Sequence, residues 1–257
     1  MADTLIMRPN SETKSEQYGY HILRFAELDS TNKYGIEHAN SLSDRDVVAA
    51  DIQTAGRGRF DRVWVSDVPD NISCSIILKP DGDYQHLPIS NLTQFAAVCI
   101  CRLLERYGQT PTIKWPNDVK VGGRKISGIL TKTSFSGMSL NAVAVGIGIN
   151  VNQQQSLLDT LSQPATSFNI LCGHHIDRDR LLTELLDLFF ADYEAFMRGG
   201  FDFIREEYLS HWDALGTILT IRTIGGSFTG TAIGIDEEGV LMLKTENEIK
   251  HLIEGES

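Results

Sequence analysis

The feature that most constrains the fold is a change of period part-way along the chain. From Tyr20 to Trp212, apolar runs of strand length alternate with stretches whose apolar residues recur every three to four positions, whereas after Trp212 only strand-length runs remain. Alternating strands and helices fold as mixed layers, because each apolar sheet face must be covered by another element. Strands are expected at His21 to Leu28, Val47 to Gln53, Ile72 to Leu78, Thr112 to Trp115, Lys125 to Thr133 and Leu140 to Val151. Gly122-Gly123 supplies the positive φ angles of a tight hairpin before Lys125. A first helix is expected to begin at Ser30-Thr31 and run through Asn32 to Asn40. A second spans Asn91 to Tyr107, with Leu92, Phe95, Ala96, Cys99 and Leu103 on one face and Arg102 and Arg106 facing water. Asp177 caps a helical stretch that runs to Trp212 and breaks at Gly199-Gly200. Beyond it, Thr217 to Arg222, Ser227 to Ile235, Val240 to Leu243 and Ile249 to Ile253 read as a small β-barrel. The expected class is α+β in three parts: a polar arm over 1–19, a mixed sheet flanked by helices over 20–212, and the barrel over 213–257.

Composition removes several functions. At 257 residues and 42% hydrophobic, the chain can bury one sizeable core plus a small appended unit. Its longest apolar runs, such as Ala142 to Val151, fall well short of the ~20 residues a membrane helix needs. The first residues lack the basic-then-apolar order of a signal peptide. Cys74, Cys99, Cys101 and Cys172 form no CxxC pair and read as buried thiols, not as a disulfide framework or zinc site. His174-His175 reads as a polar loop. A soluble cytoplasmic protein is the expectation. The net charge of -11 disfavours DNA and anionic membranes as partners, since both need clustered Lys and Arg.

Against that acidic background three motifs stand out. The first is Gln53-Thr-Ala-Gly56-Arg57-Gly58-Arg59-Phe-Asp-Arg62-Val-Trp64, placed between two strands. Glycines let backbone amides approach an anion, and guanidinium groups give bidentate contacts to phosphate or carboxylate. Read alone, it is equally a solvated surface loop. It is neither a Walker loop nor a dinucleotide fingerprint. The second is Lys114-Trp115-Pro116-Asn117-Asp118 with Arg124-Lys125-Ile-Ser-Gly128-Ile-Leu following. The proline should end strand pairing and leave Asn117 and Asp118 in a turn facing a ligand. Asp118 there is suited to binding metal or orienting an amine, and Lys125 to pointing its ammonium into a site; an ordinary surface ion pair is the alternative. The third is Val145-Gly146-Ile-Gly148-Ile-Asn150, whose glycines admit a close neighbour and whose Asn150 can meet a metal-bound phosphate.

In this order the three motifs resemble the catalytic domain of biotin–protein ligases. The family's GRGR loop matches Gly56 to Arg59, its KWPND matches Lys114 to Asp118, its RKxxGIL matches Arg124 to Leu130, and its GxGxN matches Gly146 to Asn150. Ser30-Thr31-Asn32 fits its DSTN element, and Gly230, Gly234 to Asp236 and Gly239 to Leu241 resemble more loosely its small SH3-like domain. The resemblance implies a class II synthetase-like fold and a ligase that joins biotin to AMP, with ATP and Mg²⁺ required. It implies that Ser30, Thr31, Asn32, Gln53, Gly56, Arg57, Gly58, Lys125 and Gly128 hold biotin. It places Arg59, Arg62, Trp64, Lys114, Asn117 and Asn150 on ATP, Asn150 beside its magnesium, and gives Lys125, Arg57, Arg59 and Asp118 the catalytic roles.

The implied acceptor is a lysine of the biotin carboxyl carrier domain of a carboxylase such as acetyl-CoA carboxylase. Many bacterial members carry an N-terminal winged helix, and about 20 residues precede the first expected strand here. The implied protein is therefore monofunctional, without the repressor role. An exposed edge of the sheet offers a homodimer contact. Two other readings stay open: a lipoate or octanoate ligase, against which the GRGR loop argues, and a non-catalytic biotin-binding module, against which Lys125 and Asp118 argue.

Overall fold

The computed structural model describes residues 8–80 and 89–255. Eight strands form one mixed sheet in the order β1-β2-β3-β4-β8-β7-β6-β5. They are β1 (Ser11–Lys14), β2 (His21–Leu28), β3 (Asp46–Gln53), β4 (Asn71–Leu78), β5 (Pro111–Lys114), β6 (Asp118–Val121), β7 (Arg124–Ser136) and β8 (Ser139–Asn150). Only β2 and β3 run parallel, joined by the crossover helix α1 (Thr31–Glu37), and every other neighbour is antiparallel. Parallel neighbours require such a crossover, and Ser30 starts it: extended at φ -161°, it accepts a hydrogen bond from Lys33 N.

Helix α1 covers one sheet face, where Phe25, Leu28, Tyr34, Val48, Ala50, Ile77 and Ala144 form a compact cluster. The other face carries α2 (Leu92–Arg106) and the long α5 (Arg178–His211), joined to the sheet by a larger core in which Phe95 stacks on Phe196 at 4.4 Å. Both faces of β4 and β8 are thus covered, which is why every β4 residue is buried and β8 is buried from Ala142 to Asn150. Helix α5 is broken at Gly200, whose φ of 61° and ψ of -150° lie outside the helical region, as its sequence leads one to expect. Two short helices, α3 (Gln155–Leu158) and α4 (Phe168–Cys172), link β8 to α5.

The last four strands, β9 (Ile218–Thr223), β10 (Gly226–Ile235), β11 (Leu241–Lys244) and β12 (Ile249–Leu252), make a separate antiparallel sheet in the order β12-β11-β10-β9. Its arrangement is consistent with a small SH3-like unit. Ile221, Ala232, Leu241 and Leu243 from this sheet join the main core, so the two sheets share one apolar interior.

Three expectations need correction. The polar arm contains an ordered edge strand, β1, paired with β2 from Ser11↔Arg24 to Lys14↔His21; residues 1–7 of the arm lie outside the described residues. Arg102 does not face water alone. It reaches across to α5, donating to both carboxylate oxygens of Glu207 at 2.7 and 2.6 Å and to Asp192 at 2.6 Å. Those bonds, the Glu207 bond foremost, hold its guanidinium proton more tightly than usual. Asp118 does not lie in a turn but opens β6, opposite Lys114 on β5 and Gly128 on β7.

Candidate active site

The three motifs meet at one cleft of about 610 Å³, lined by all the expected site residues except Gly56. Strand register gives the cleft its axis. Gly146 pairs with Leu130 and Gly148 with Gly128, while Asp118 pairs with Gly128 from the other side. From Gly146 to Asn150 the floor therefore extends roughly 13 Å, at about 3.3 Å per strand residue.

One end is built by α1. Gln53 at the end of β3 accepts from Thr31 N at 2.9 Å and Thr31 Oγ1 at 3.2 Å, and that hydroxyl also meets Ser75 Oγ at 2.9 Å. The Ser30 hydroxyl is occupied as the helix cap. Asn32 donates to Leu130 O at 2.7 Å across Gly146, where any Cβ would lie 2.4 Å from the Asn32 amide. That contact explains the first glycine of the third motif. Beneath this floor Cys74 faces the larger core on the opposite sheet face, and burial pushes its thiol up to about 12.

The arginine loop folds back on itself as a small hairpin. Gly58 N donates to Arg62 O at 2.7 Å and Trp64 N to Gly56 O at 3.0 Å, with Arg57 bridged to Val63. Its tip, Arg59–Asp61, is a single turn in which Phe60 adopts a left-handed φ of 50°, and the Arg59 guanidinium lies 5.5 Å from the Phe60 ring centre. Gly56 sits behind the loop, where a Cβ would strike Trp64 O at 2.4 Å; its place is structural rather than on the cleft wall. The Trp64 indole lies flat on Gly148, so the second glycine of the third motif is the seat for that ring.

At the centre, Lys125 Nζ stands 2.8 Å from Asp118 Oδ1 and 6.0 Å from the Trp64 ring centre. Gly128 keeps this space open, since a Cβ there would approach Lys125 Nζ to 3.1 Å. Lys125 is fixed at its backbone by a segment no motif announced: Lys125 N donates to Pro164 O and Thr166 N to Lys125 O, both at 2.9 Å. The far end holds Asn117, whose amide donates to Ile129 O at 3.0 Å, and Asn150, which donates to Thr166 O at 3.0 Å. Gln153 and the stretch from Thr160 to Ala165 complete this end. Residue type offers no cue for them: Gln153 is carried there just beyond β8, where its carbonyl accepts from Ser167 Oγ, and the 160–165 stretch is brought in by the backbone pairing of Pro164 and Thr166 with Lys125.

Polar bookkeeping marks the cleft as a binding site. Among the described residues, seven buried side-chain atoms take no hydrogen bond; Asn32 Oδ1, Trp64 Nε1, Asp118 Oδ1 and Gln153 Oε1 belong to residues lining the cleft, and those of Asn71, Arg205 and Trp212 lie outside it. Asp118 Oδ1 has the Lys125 ammonium as its partner at 2.8 Å. A buried group without a partner costs about 1–3 kcal/mol, so the other three in one cleft point to a polar ligand that satisfies them. Asp118 is the one carboxylate among the described residues on the wall, and no group of three metal-binding side chains occurs among them.

Comparison with known proteins agrees with this geometry. The Biotin/lipoate A/B protein ligase family matches residues 25–150, and the Biotin protein ligase C terminal domain matches residues 215–256. The bifunctional ligase/repressor BirA of Bacillus subtilis is 39% identical over 242 residues, spanning 93% of this chain and 74% of that protein. The biotin–[acetyl-CoA-carboxylase] ligase of Paracoccus denitrificans is 35% identical over 225 residues, spanning 85% of this chain and 92% of that one. The biotin protein ligase of Aquifex aeolicus, solved in complex with biotin and ATP, superposes with a TM-score of 0.76 at 28% identity, covering 91% of this chain and 96% of its own. With both of its sheets matched by ligase models and nearly the whole of a ligase covered at 35% identity, the chain belongs to the biotin protein ligase family.

Proposed function

We propose that the chain condenses biotin with ATP to biotinoyl-adenylate and passes the biotinoyl group to a lysine of a carboxylase carrier domain. The observation that carries this reading is the cleft itself: a polar pocket at Thr31, Asn32 and Gln53, then a cationic centre, then a second polar end at Asn117, Asn150 and Gln153. An acyl-adenylate has the same order of parts: a ureido ring, an acyl-phosphate anion and a nucleoside.

In this reading Ser30, Thr31, Asn32, Gln53, Gly58 and Gly128 surround biotin, and Arg57 and Lys125 face its carboxylate. Arg59, Arg62, Trp64, Lys114, Asn117 and Asn150 surround the nucleotide. When the carboxylate oxygen attacks the α-phosphorus, pyrophosphate leaves and negative charge builds on the phosphoryl oxygens. Arg57, Arg59 and Lys125 stabilise that charge in place, which costs less than reorganising water at the moment of reaction. A magnesium ion would arrive with ATP and neutralise phosphate charge. Magnesium typically uses only one or two protein carboxylates and keeps water and phosphate for the rest, which suits a cleft with Asp118 as its carboxylate and Asn150 also on its lining.

The mixed anhydride then has to be kept from water until the acceptor arrives, and the hairpin from Gly56 to Trp64 is placed to cover it. The acceptor lysine, with an ordinary pKa of about 10.4, must lose a proton before attack, and Asp118 is the carboxylate positioned to orient it. The test is transfer: the chain, biotin, MgATP and a carrier domain, followed by a streptavidin blot. Labelling confined to one carrier lysine, and lost when that lysine is replaced by arginine, is expected. Indiscriminate labelling, or none while adenylate accumulates, would reject the carrier assignment.

A further inference from the structure

The turn between β10 and β11 is tied to the wall of the cleft in a way the proposed reaction does not itself require. Within the turn, Asp236 Oδ1 accepts from Glu238 N and Val240 N, both at 3.0 Å, and Asp236 N donates to Val240 O at 3.0 Å. The turn is thus rigid in itself. It presents two carbonyls to the large sheet. Gly239 O accepts from Trp115 Nε1 at 3.2 Å and from Gln94 Nε2 at 2.9 Å, and Glu238 O accepts from Asn91 Nδ2 at 2.8 Å. Asn91 and Gln94 also bond each other at 2.8 Å. All three donors are buried, and none of Asn91, Gln94 or Gly239 lines the cleft.

Trp115 does line it, and it is followed directly by Pro116, Asn117 and Asp118. The same stretch is held once more from α5, where the buried Tyr208 hydroxyl donates to Pro116 O at 3.4 Å. Gly239 has no substitute: its φ is +81°, and a Cβ would lie 2.6 Å from both Asn91 Nδ2 and Gln94 Oε1.

We infer that Gly239, Gln94 and Asn91 are positioning residues through which the C-terminal sheet sets the place of the Trp115–Asp118 segment. This rests on the adenylation reading for its functional consequence. The Thr31–Gln53 end of the cleft stands on α1, β3 and β4 and has no bond to the turn. Loosening the tie therefore shifts the Asn117 and Asp118 side of the cleft and leaves the opposite end alone.

Two readouts test this on the full chain, using Asn91→Ala and Gly239→Ala. Hydrogen exchange is measured across residues 113–121 and 31–53, and adenylation is followed by pyrophosphate release, with kcat and the KM for biotin resolved separately. Faster exchange confined to 113–121 is expected, with kcat down about 2- to 30-fold, the range of mutations that alter coupling without touching ligand. The KM for biotin stays within about twofold by the same reasoning. Should Gly239→Ala not fold, Gln94→Met keeps the volume, removes the donor and carries the same expectation. Unchanged exchange at 113–121, or a loss spread equally over both segments, overturns the inference. Lack of adenylate from the wild-type chain counts against the reaction instead, and the exchange readout then still decides the positioning.

Discussion

Gly148→Ala is the most informative single perturbation of the arginine loop. Gly148 lies in β8 between Ser73 on β4 and Gly128 on β7, so its backbone is held on both sides and cannot yield. An ideal Cβ there stands 2.4 Å from Trp64 Cε2, 2.5 Å from Cζ2 and 2.9 Å from Cδ2, closer than real Cβ contacts come. The indole must therefore lift, and with it the Trp64 N to Gly56 O bond that closes the loop. Overpacking of this kind costs about 1–3 kcal/mol. Charged to loop docking alone, that lowers the docked to undocked ratio by about 5- to 150-fold, at tenfold per 1.4 kcal/mol. Trp115 and Trp212 are 4% and 6% exposed, so tryptophan emission reports changes chiefly at the half-buried Trp64. Gly148→Ala should shift emission to the red, speed hydrogen exchange at Gly58 and Trp64, and release adenylate to hydrolysis. Unchanged emission and exchange would refute the view that Gly148 is the seat of Trp64.

Lys125→Ala should lower adenylate formation by about 10² or more, the usual loss for a transition-state charge donor, measured as pyrophosphate release; a near-normal rate removes Lys125 from the site. Asp118→Asn should slow single-turnover transfer more than adenylation, and equal losses in both would assign Asp118 to structure or metal. Arg102→Met strips Glu207 and Asp192 of their shared donor and should cost about 1–3 kcal/mol in urea unfolding; an unchanged midpoint would mean that the α2–α5 tie contributes nothing. With its thiol pushed up to about 12 by burial, Cys74 stays protonated near neutral pH and should resist iodoacetamide until the chain unfolds. Rapid labelling of the folded chain would show that the core beneath β4 opens without global unfolding.

The parts of the site that were legible in sequence are those where residue type alone carries the constraint. Gly146 and Gly148 announced a close neighbour because nothing larger fits, although which neighbour, Asn32 or Trp64, depends on the fold. The arginine loop and Lys125 were legible because clustered cations in an acidic chain need a reason. Gln153 and the 160–165 stretch are not, since Gln153 arrives from the end of β8 and the stretch by backbone bonds to Lys125, neither of which has a chemical signature. The tie made by Arg102 is not legible, because helical periodicity identifies the apolar face but not the acidic neighbours that α5 brings. The β1 edge strand is not legible because both its faces are exposed, which removes the apolar alternation that marks a strand. The Gly239 tie was hidden for a similar reason, as backbone carbonyls leave no trace in sequence.

The central claim is adenylation of biotin. The purified chain should be incubated with MgATP and, separately, biotin, lipoate or octanoate, then quenched and examined by mass spectrometry for the acyl-adenylate. Biotinoyl-AMP from biotin, with none from the other two acids, is the predicted result. A lipoyl or octanoyl adenylate in its place, or no adenylate despite measurable biotin binding, would contradict it.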